Sequence, residues 1–120
     1  MRVAGIGFRG AASLQSLIDA VARAGGGADA LATAESKAGA EVAQALARAL
    51  GLPLIAVGRT DLERQPVLSH SAKVAERFGT GSVAEAAALA AAGPGARLLG
   101  PRVVSQDGLA TAALAERTDE

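Results

Sequence analysis

Residues 5 to 10 read Gly-Ile-Gly-Phe-Arg-Gly, closing an apolar run that follows Arg2. A glycine-rich turn between a first strand and a first helix exposes main-chain N–H groups, and α/β proteins bind anions there. Letter for letter the segment satisfies G-x-G-x-x-G, the dinucleotide-binding pattern. In that reading Gly5 permits the turn, Gly7 lets a pyrophosphate approach and Gly10 packs helix against strand. Glu35, after a second strand, would hold the ribose. Two features count against it. Arg9 sits inside the loop, and the chain holds only the first half of a full dinucleotide-binding sheet. The plainer alternative is that the glycines merely allow a tight strand-to-helix turn.

A second glycine loop, Gly79-Thr80-Gly81-Ser82, opens a helix carrying Glu85. A helix start of this kind either receives an anion or is simply capped by Ser82. It lacks the Lys-Ser/Thr ending of a P-loop, so ATP hydrolysis has no support. Glu35-Ser36-Lys37 lies at the carboxyl edge of the expected sheet, where open α/β sheets take ligands. Lys37 either contacts an anion there or solvates the start of the next helix. His70, flanked by Ser69 and Ser71, invites a nucleophile-and-base reading. No carboxylate stands ready to orient it, and a lone loop histidine reads more simply as solvated. No catalytic residue is assigned, and Lys37, His70 and Ser71 are the only candidates.

The bulk composition excludes several classes. The chain has 120 residues, expected to form one domain from 1 to 120. Its only aromatics are Phe8 and Phe78, so it has no stacking platform for bases. Basic and acidic residues balance at 12 each, which removes the electrostatic case for nucleic acid. No cysteine is present and His70 is the sole histidine, so neither disulfides nor a His-rich metal site is expected. No metal and no cofactor is expected. The run from Val3 to Phe8 is too short for a signal peptide, and Gly93-Pro94-Gly95 breaks the alanine-rich stretch between Glu85 and Arg97. A soluble cytoplasmic protein without membrane contact is the expectation.

The elements that must position these residues alternate. Val3 to Phe8 predicts a first strand. Leu14, Leu17, Ile18 and Val21 recur at helical spacing, predicting a helix from Ser13 to Ala24 ended by Gly25-Gly26-Gly27. Ala30 to Ala34 predicts a second strand. Val42, Leu46 and Leu50 mark a second helix stopped by Gly51. Pro53 to Val57, apolar throughout, predicts a third strand covered on both faces. Thr60-Asp61-Leu62-Glu63 reads as a capping box for a single turn, and Ser82-Val83-Ala84-Glu85 as one for a full helix. Ala72 to Phe78 predicts a short helix between them. Residues 97 to 105 and 109 to 115 predict strands joined around Gln106-Asp107-Gly108, a hairpin signal. The fold expected is α/β: three αβα layers around a mixed, mainly parallel sheet, with a C-terminal antiparallel hairpin.

These pieces in this order resemble one family. Gly5-Ile-Gly-Phe-Arg-Gly, Leu31-Ala-Thr-Ala-Glu-Ser-Lys37 and Leu52-Pro-Leu-Ile-Ala56 are similar to segments of the CobE / CbiG C-terminal domain family of cobalamin biosynthesis. So are Ser71, Gly79-Thr-Gly-Ser-Val-Ala-Glu-Ala-Ala-Ala88 and the final hairpin. The resemblance covers essentially the whole chain, and its length matches the stand-alone CobE type. It implies a role in building the corrin ring, between early methylated precorrins and the contracted macrocycle. The resemblance implies that complete CbiG-type proteins of the anaerobic route open a ring lactone and release acetaldehyde; they carry an additional N-terminal domain not expected here, so the lactone hydrolysis is not carried over. CobE-type proteins belong to the aerobic route. Some members carry Cys where Phe8 stands, so thiol chemistry is no requirement at that position.

The resemblance implies a corrinoid or precorrin intermediate as partner, held by a carrier or accessory protein. Precorrins surround an apolar macrocycle with acetate and propionate carboxylates, which glycine-turn N–H groups, Arg9 and Lys37 complement by charge-assisted hydrogen bonds. The expected ligand-binding set is Gly7, Phe8, Arg9, Gly10, Glu35, Ser36, Lys37, Ser71, Gly79, Thr80, Gly81 and Ser82. Alternatives are an enzyme hydrolysing or rearranging a precorrin, a nucleotide-binding half-domain, and an adaptor docking on a precorrin methyltransferase.

Overall fold

The structure, a computed structural model, describes residues 1–65 and 82–118. Strand β1 (Arg2–Phe8) is followed by helix α1 (Leu14–Ala24) and strand β2 (Ala30–Ala34). Helices α2 (Glu35–Ala38) and α3 (Glu41–Leu50) lead to β3 (Leu54–Val57) and α4 (Arg59–Glu63). Helix α5 (Val83–Ala92) precedes the short strands β4 (Arg97–Leu98) and β5 (Val103–Val104), and β6 (Ala110–Glu116) closes the sheet.

The strands lie in the order β3-β2-β1-β6-β4, with β5 also beside β6. Pairs β1–β2 and β2–β3 are parallel, whereas β6 is antiparallel to β1, β4 and β5. Strand β6 therefore runs against all the others. This is the expected αβα arrangement. On one face α1 and α3 bury Leu17, Val21 and Leu46 against Ile6, Leu31 and Leu114. On the other, α5 and Leu62 of α4 cover Val3, Ala32, Ala34 and Val57.

Local chemistry explains the helix limits. Ser13 caps α1: its Oγ accepts the Ser16 N–H at 3.2 Å, and Ser16 Oγ accepts the Ser13 N–H at 3.1 Å. This reciprocal pair satisfies two otherwise unpaired donors. At the far end of α3, Gly51 adopts the left-handed φ of 65° that suits a helix stop. Helix α5 carries no polar stripe. Every residue from Val83 to Leu89 is buried, as its run of alanines allows.

Three expectations are corrected. Strand β3 is an edge strand among the described residues, where no strand pairs beyond it, with Ala56 exposed and Leu54 and Ile55 half-buried. Helix α4 begins at Arg59 with Gly58 as its cap and no side-chain capping bond, and Glu63 pairs instead with Arg59 at 2.9 Å. The predicted strand over 97 to 105 is broken into β4 and β5. Pro101 has no N–H to give the ladder, and the Arg102 N–H turns away to Glu85 Oε2 at 2.7 Å. The helix predicted over Ala72 to Phe78 lies outside the described residues.

Candidate site at the carboxyl edge of the sheet

The first glycine motif is not a turn. Gly5 and Gly7 lie within β1, and the loop to α1 begins only at Arg9. A methyl group on Gly5 would fall inside the Ala84 carbonyl and 2.7 Å from the Ala88 nitrogen. Gly5 thus lets α5 rest directly on the sheet. A methyl on Gly7 would stand 2.8 Å from Thr111 Oγ1 and 3.8 Å from Val83 Cβ. Gly10 has open space around it. The start of α1, where a pyrophosphate would sit, is capped by its own serines. Ser16 Oγ also donates to Asp107 of the β5–β6 turn. Gly5 and Gly7 therefore do not form the strand-to-helix turn that the dinucleotide pattern requires of them.

What β1 does deliver to the carboxyl edge is Phe8 and Arg9. Phe8 is half-buried at the strand's last position, and Arg9 is exposed, its main-chain N–H tied to the Leu109 carbonyl at 2.9 Å. Strand β2 delivers Glu35, Ser36 and Lys37 on the single turn of α2, the first two exposed and Lys37 half-buried. The two groups meet. Lys37 Nζ stands over the Phe8 ring, 5.2 Å from its centroid. Neither Lys37 nor Arg9 forms an ion pair with a described residue.

Next to them, the chain leaves β2 for α3 on one face and β3 for α4 on the other, so the carboxyl ends of these two strands lead into opposite layers. Glu35 Oε2 lies there, 3.9 Å from where a side chain at Gly58 would begin. Gly58 was not singled out by sequence reasoning, because nothing local distinguishes it from an ordinary helix cap.

Of the remaining predicted residues, Ser82 is fully buried as the cap of α5, its Oγ accepting the Glu85 N–H at 3.2 Å. Capping is the role this geometry gives it. Gly79, Thr80, Gly81, His70 and Ser71 lie outside the described residues. Among the described residues no group of three His, Cys, Asp or Glu side chains could hold a metal. No described helix is long and apolar enough to cross a membrane.

A different polar cluster went unnoticed in the sequence. Asp107 accepts from Ser105 Oγ at 2.6 Å, from Ser16 Oγ and from the Leu109 N–H at 3.0 Å. Asp19 accepts from the Gln106 N–H at 2.8 Å and from Arg23. These hydrogen bonds, led by Ser105 for Asp107 and by the Gln106 N–H for Asp19, hold both carboxyls below the ordinary aspartate value. The cluster fastens the β5–β6 hairpin to α1, and its donors and acceptors are matched within it.

Comparison with known proteins adds the family context. Residues 2–115 match the family described as Cobalamin synthesis G C-terminus. The fold is similar to the crystal structure of CobE, a protein from the cobalamin (vitamin B12) biosynthetic pathway. That likeness has a TM-score of 0.83 and 33% identity over 100% of this chain and 92% of the other. It is also similar to cobalamin biosynthesis protein chiG from Agrobacterium tumefaciens, with a TM-score of 0.72 and 37% identity over 99% of this chain and 100% of the other. No curated protein sequence matches the chain.

Proposed function

The chain belongs to the Cobalamin synthesis G C-terminus family of cobalamin biosynthesis, and we propose that it binds a precorrin or related corrinoid intermediate at the carboxyl edge of its sheet, as a carrier or accessory protein. The observation that carries this reading is the Lys37–Phe8 pair, 5.2 Å from ammonium to ring centroid, at an edge that also presents Arg9. A cation beside an apolar ring complements a ligand with carboxylates around an apolar macrocycle. Magnitudes favour the exchange. An exposed cation–π contact is worth about 0.5–1 kcal/mol, whereas a hydrogen bond to a charged group is worth about 1.5–3 kcal/mol. Lys37 gains by giving its nitrogen to a ligand carboxylate while Phe8 keeps contact with the ring.

The test is a titration of the purified protein with a precorrin, followed by the ligand's visible absorption, with Arg9→Ala and Lys37→Ala alongside. Binding that saturates, weakens in both variants and leaves a time-independent spectrum supports the carrier. A spectrum that evolves with time means turnover and an enzyme instead. Binding unaffected by either substitution removes the carboxyl edge as the site.

A further inference from the structure

The ladder between β1 and β2 stops early. Its last pair is Gly5 with Ala32, although β1 stays paired with β6 as far as Phe8–Ala110 and β2 with β3 as far as Ala34–Val57. The two central strands therefore part company toward the carboxyl edge while each remains anchored on its outer side. One arm leads to Phe8 and Arg9, the other to Glu35, Ser36 and Lys37. At the parting point Thr33 Oγ1 donates to the Ile6 carbonyl at 2.8 Å. Both residues are fully buried.

Thr33 is the one polar residue of β2, whose sequence is ALATA. A buried hydroxyl costs stability unless it is hydrogen-bonded, and packing alone would be met by Val, which has the same shape. What Thr adds is a side-chain rung one step beyond the last main-chain pair. Its branched Cβ restricts χ1 and so fixes the hydroxyl's direction.

We propose that Thr33 is a positioning residue: its bond to the Ile6 carbonyl sets the opening between the ends of β1 and β2, and thereby holds Phe8 beneath Lys37. Its functional meaning rests on the carboxyl-edge reading above, and its geometry does not. Replacing Thr33 with Val leaves the buried Ile6 carbonyl without its donor, and the arms shift to find another partner. Replacing it with Ser keeps the donor.

The experiment has two arms. The chain contains no Trp or Tyr, so Phe8→Trp introduces a sole indole emitter at the site. Without ligand, iodide quenching of that indole reports the nearby ammonium, and Lys37→Ala lowers it by about twofold through loss of local anion attraction. Thr33→Val in the same background gives a comparable fall, and Thr33→Ser does not. Quenching that is unchanged by Thr33→Val, yet lowered by Lys37→Ala, overturns the proposal whatever the protein binds. The second arm titrates uroporphyrin, an octacarboxylate tetrapyrrole, into the Phe8-containing protein. Thr33→Val weakens binding by about tenfold and Thr33→Ser by less than about threefold, the loss expected when contacts to charged groups are misplaced. Quenching that responds as stated without any uroporphyrin binding upholds the positioning role and counts against the ligand reading. Binding that is equal in the Thr, Val and Ser proteins overturns the role of Thr33 in recognition.

Discussion

Gly5 of β1 lies directly under Ala84 of α5, so closely that a methyl group on Gly5 would enter the Ala84 carbonyl and come within 2.9 Å of its carbon. The obstacle is backbone in the buried Val83 to Leu89 stretch of the helix, not a side chain that could swing aside. Gly5→Ala therefore separates helix from sheet, and overpacking of this kind costs about 3 kcal/mol or more. A fall in thermal midpoint of about 10 °C or more is expected. Gly10→Ala, with open space around it, leaves the midpoint close to that of the parent.

Much of the fold was legible in local patterns, and the failures share a cause. Leu14, Leu17, Ile18 and Val21 gave α1 by spacing, and Ala30 to Ala34 gave β2 despite its alanines. The role of Gly5 was not legible, because it depends on a helix some eighty positions away along the chain. The break between β4 and β5 depends likewise on Glu85 withdrawing the Arg102 N–H from the ladder. At the site, Phe8, Arg9, Glu35, Ser36 and Lys37 could be assigned to one edge by strand order alone. Thr33 and Gly58 could not, since their significance appears only where β1, β2 and β3 diverge.

Glu85 supplies a second stability test. It is fully buried, and its Oε2 accepts the Arg102 N–H at 2.7 Å where the outer strand is interrupted. Glu85→Ala removes the acceptor from a partly buried donor and leaves a cavity, with an expected loss of about 2–4 kcal/mol in urea unfolding. Glu85→Gln keeps an amide oxygen of similar reach for the Arg102 N–H and is expected to lose less stability than Glu85→Ala.

The hairpin cluster predicts a pH dependence of definite sign. The folded-state pKa of Asp107 lies below the ordinary value of 3.8, chiefly through the Ser105 and Ser16 hydroxyls, and that of Asp19 through the Gln106 N–H. A depressed carboxyl pKa contributes stability that is fully present above the unfolded value and is lost as pH falls through the folded one. Asp107→Asn is accordingly less stable than the parent at pH 7, and the gap in urea midpoint closes as pH drops below about 4. A gap that stays constant down to pH 2 would mean that the charge of Asp107 contributes nothing.

Charge at the carboxyl edge predicts a salt dependence of binding. With Arg9 exposed, Lys37 half-buried and neither in an ion pair with a described residue, raising salt shortens the reach of their attraction to a polycarboxylate. Uroporphyrin affinity in the parent falls by about tenfold between low and high salt, and Lys37→Gln flattens that slope. Phe8→Leu, which keeps an apolar contact, alters affinity less than Phe8→Ala and leaves the slope unchanged.

The most direct measurement of the central claim is a map of main-chain amide resonances during titration with a precorrin. Binding at the carboxyl edge predicts that the signals of Gly7 to Gly10, Glu35 to Lys37 and Gly58 move together along one saturating curve. Those of Gly93, Gly95 and Ala96, which border a groove beside the C-terminal half of α5, stay in place. Saturating shifts confined to that groove, with the Phe8 and Lys37 amides unmoved, would contradict the account.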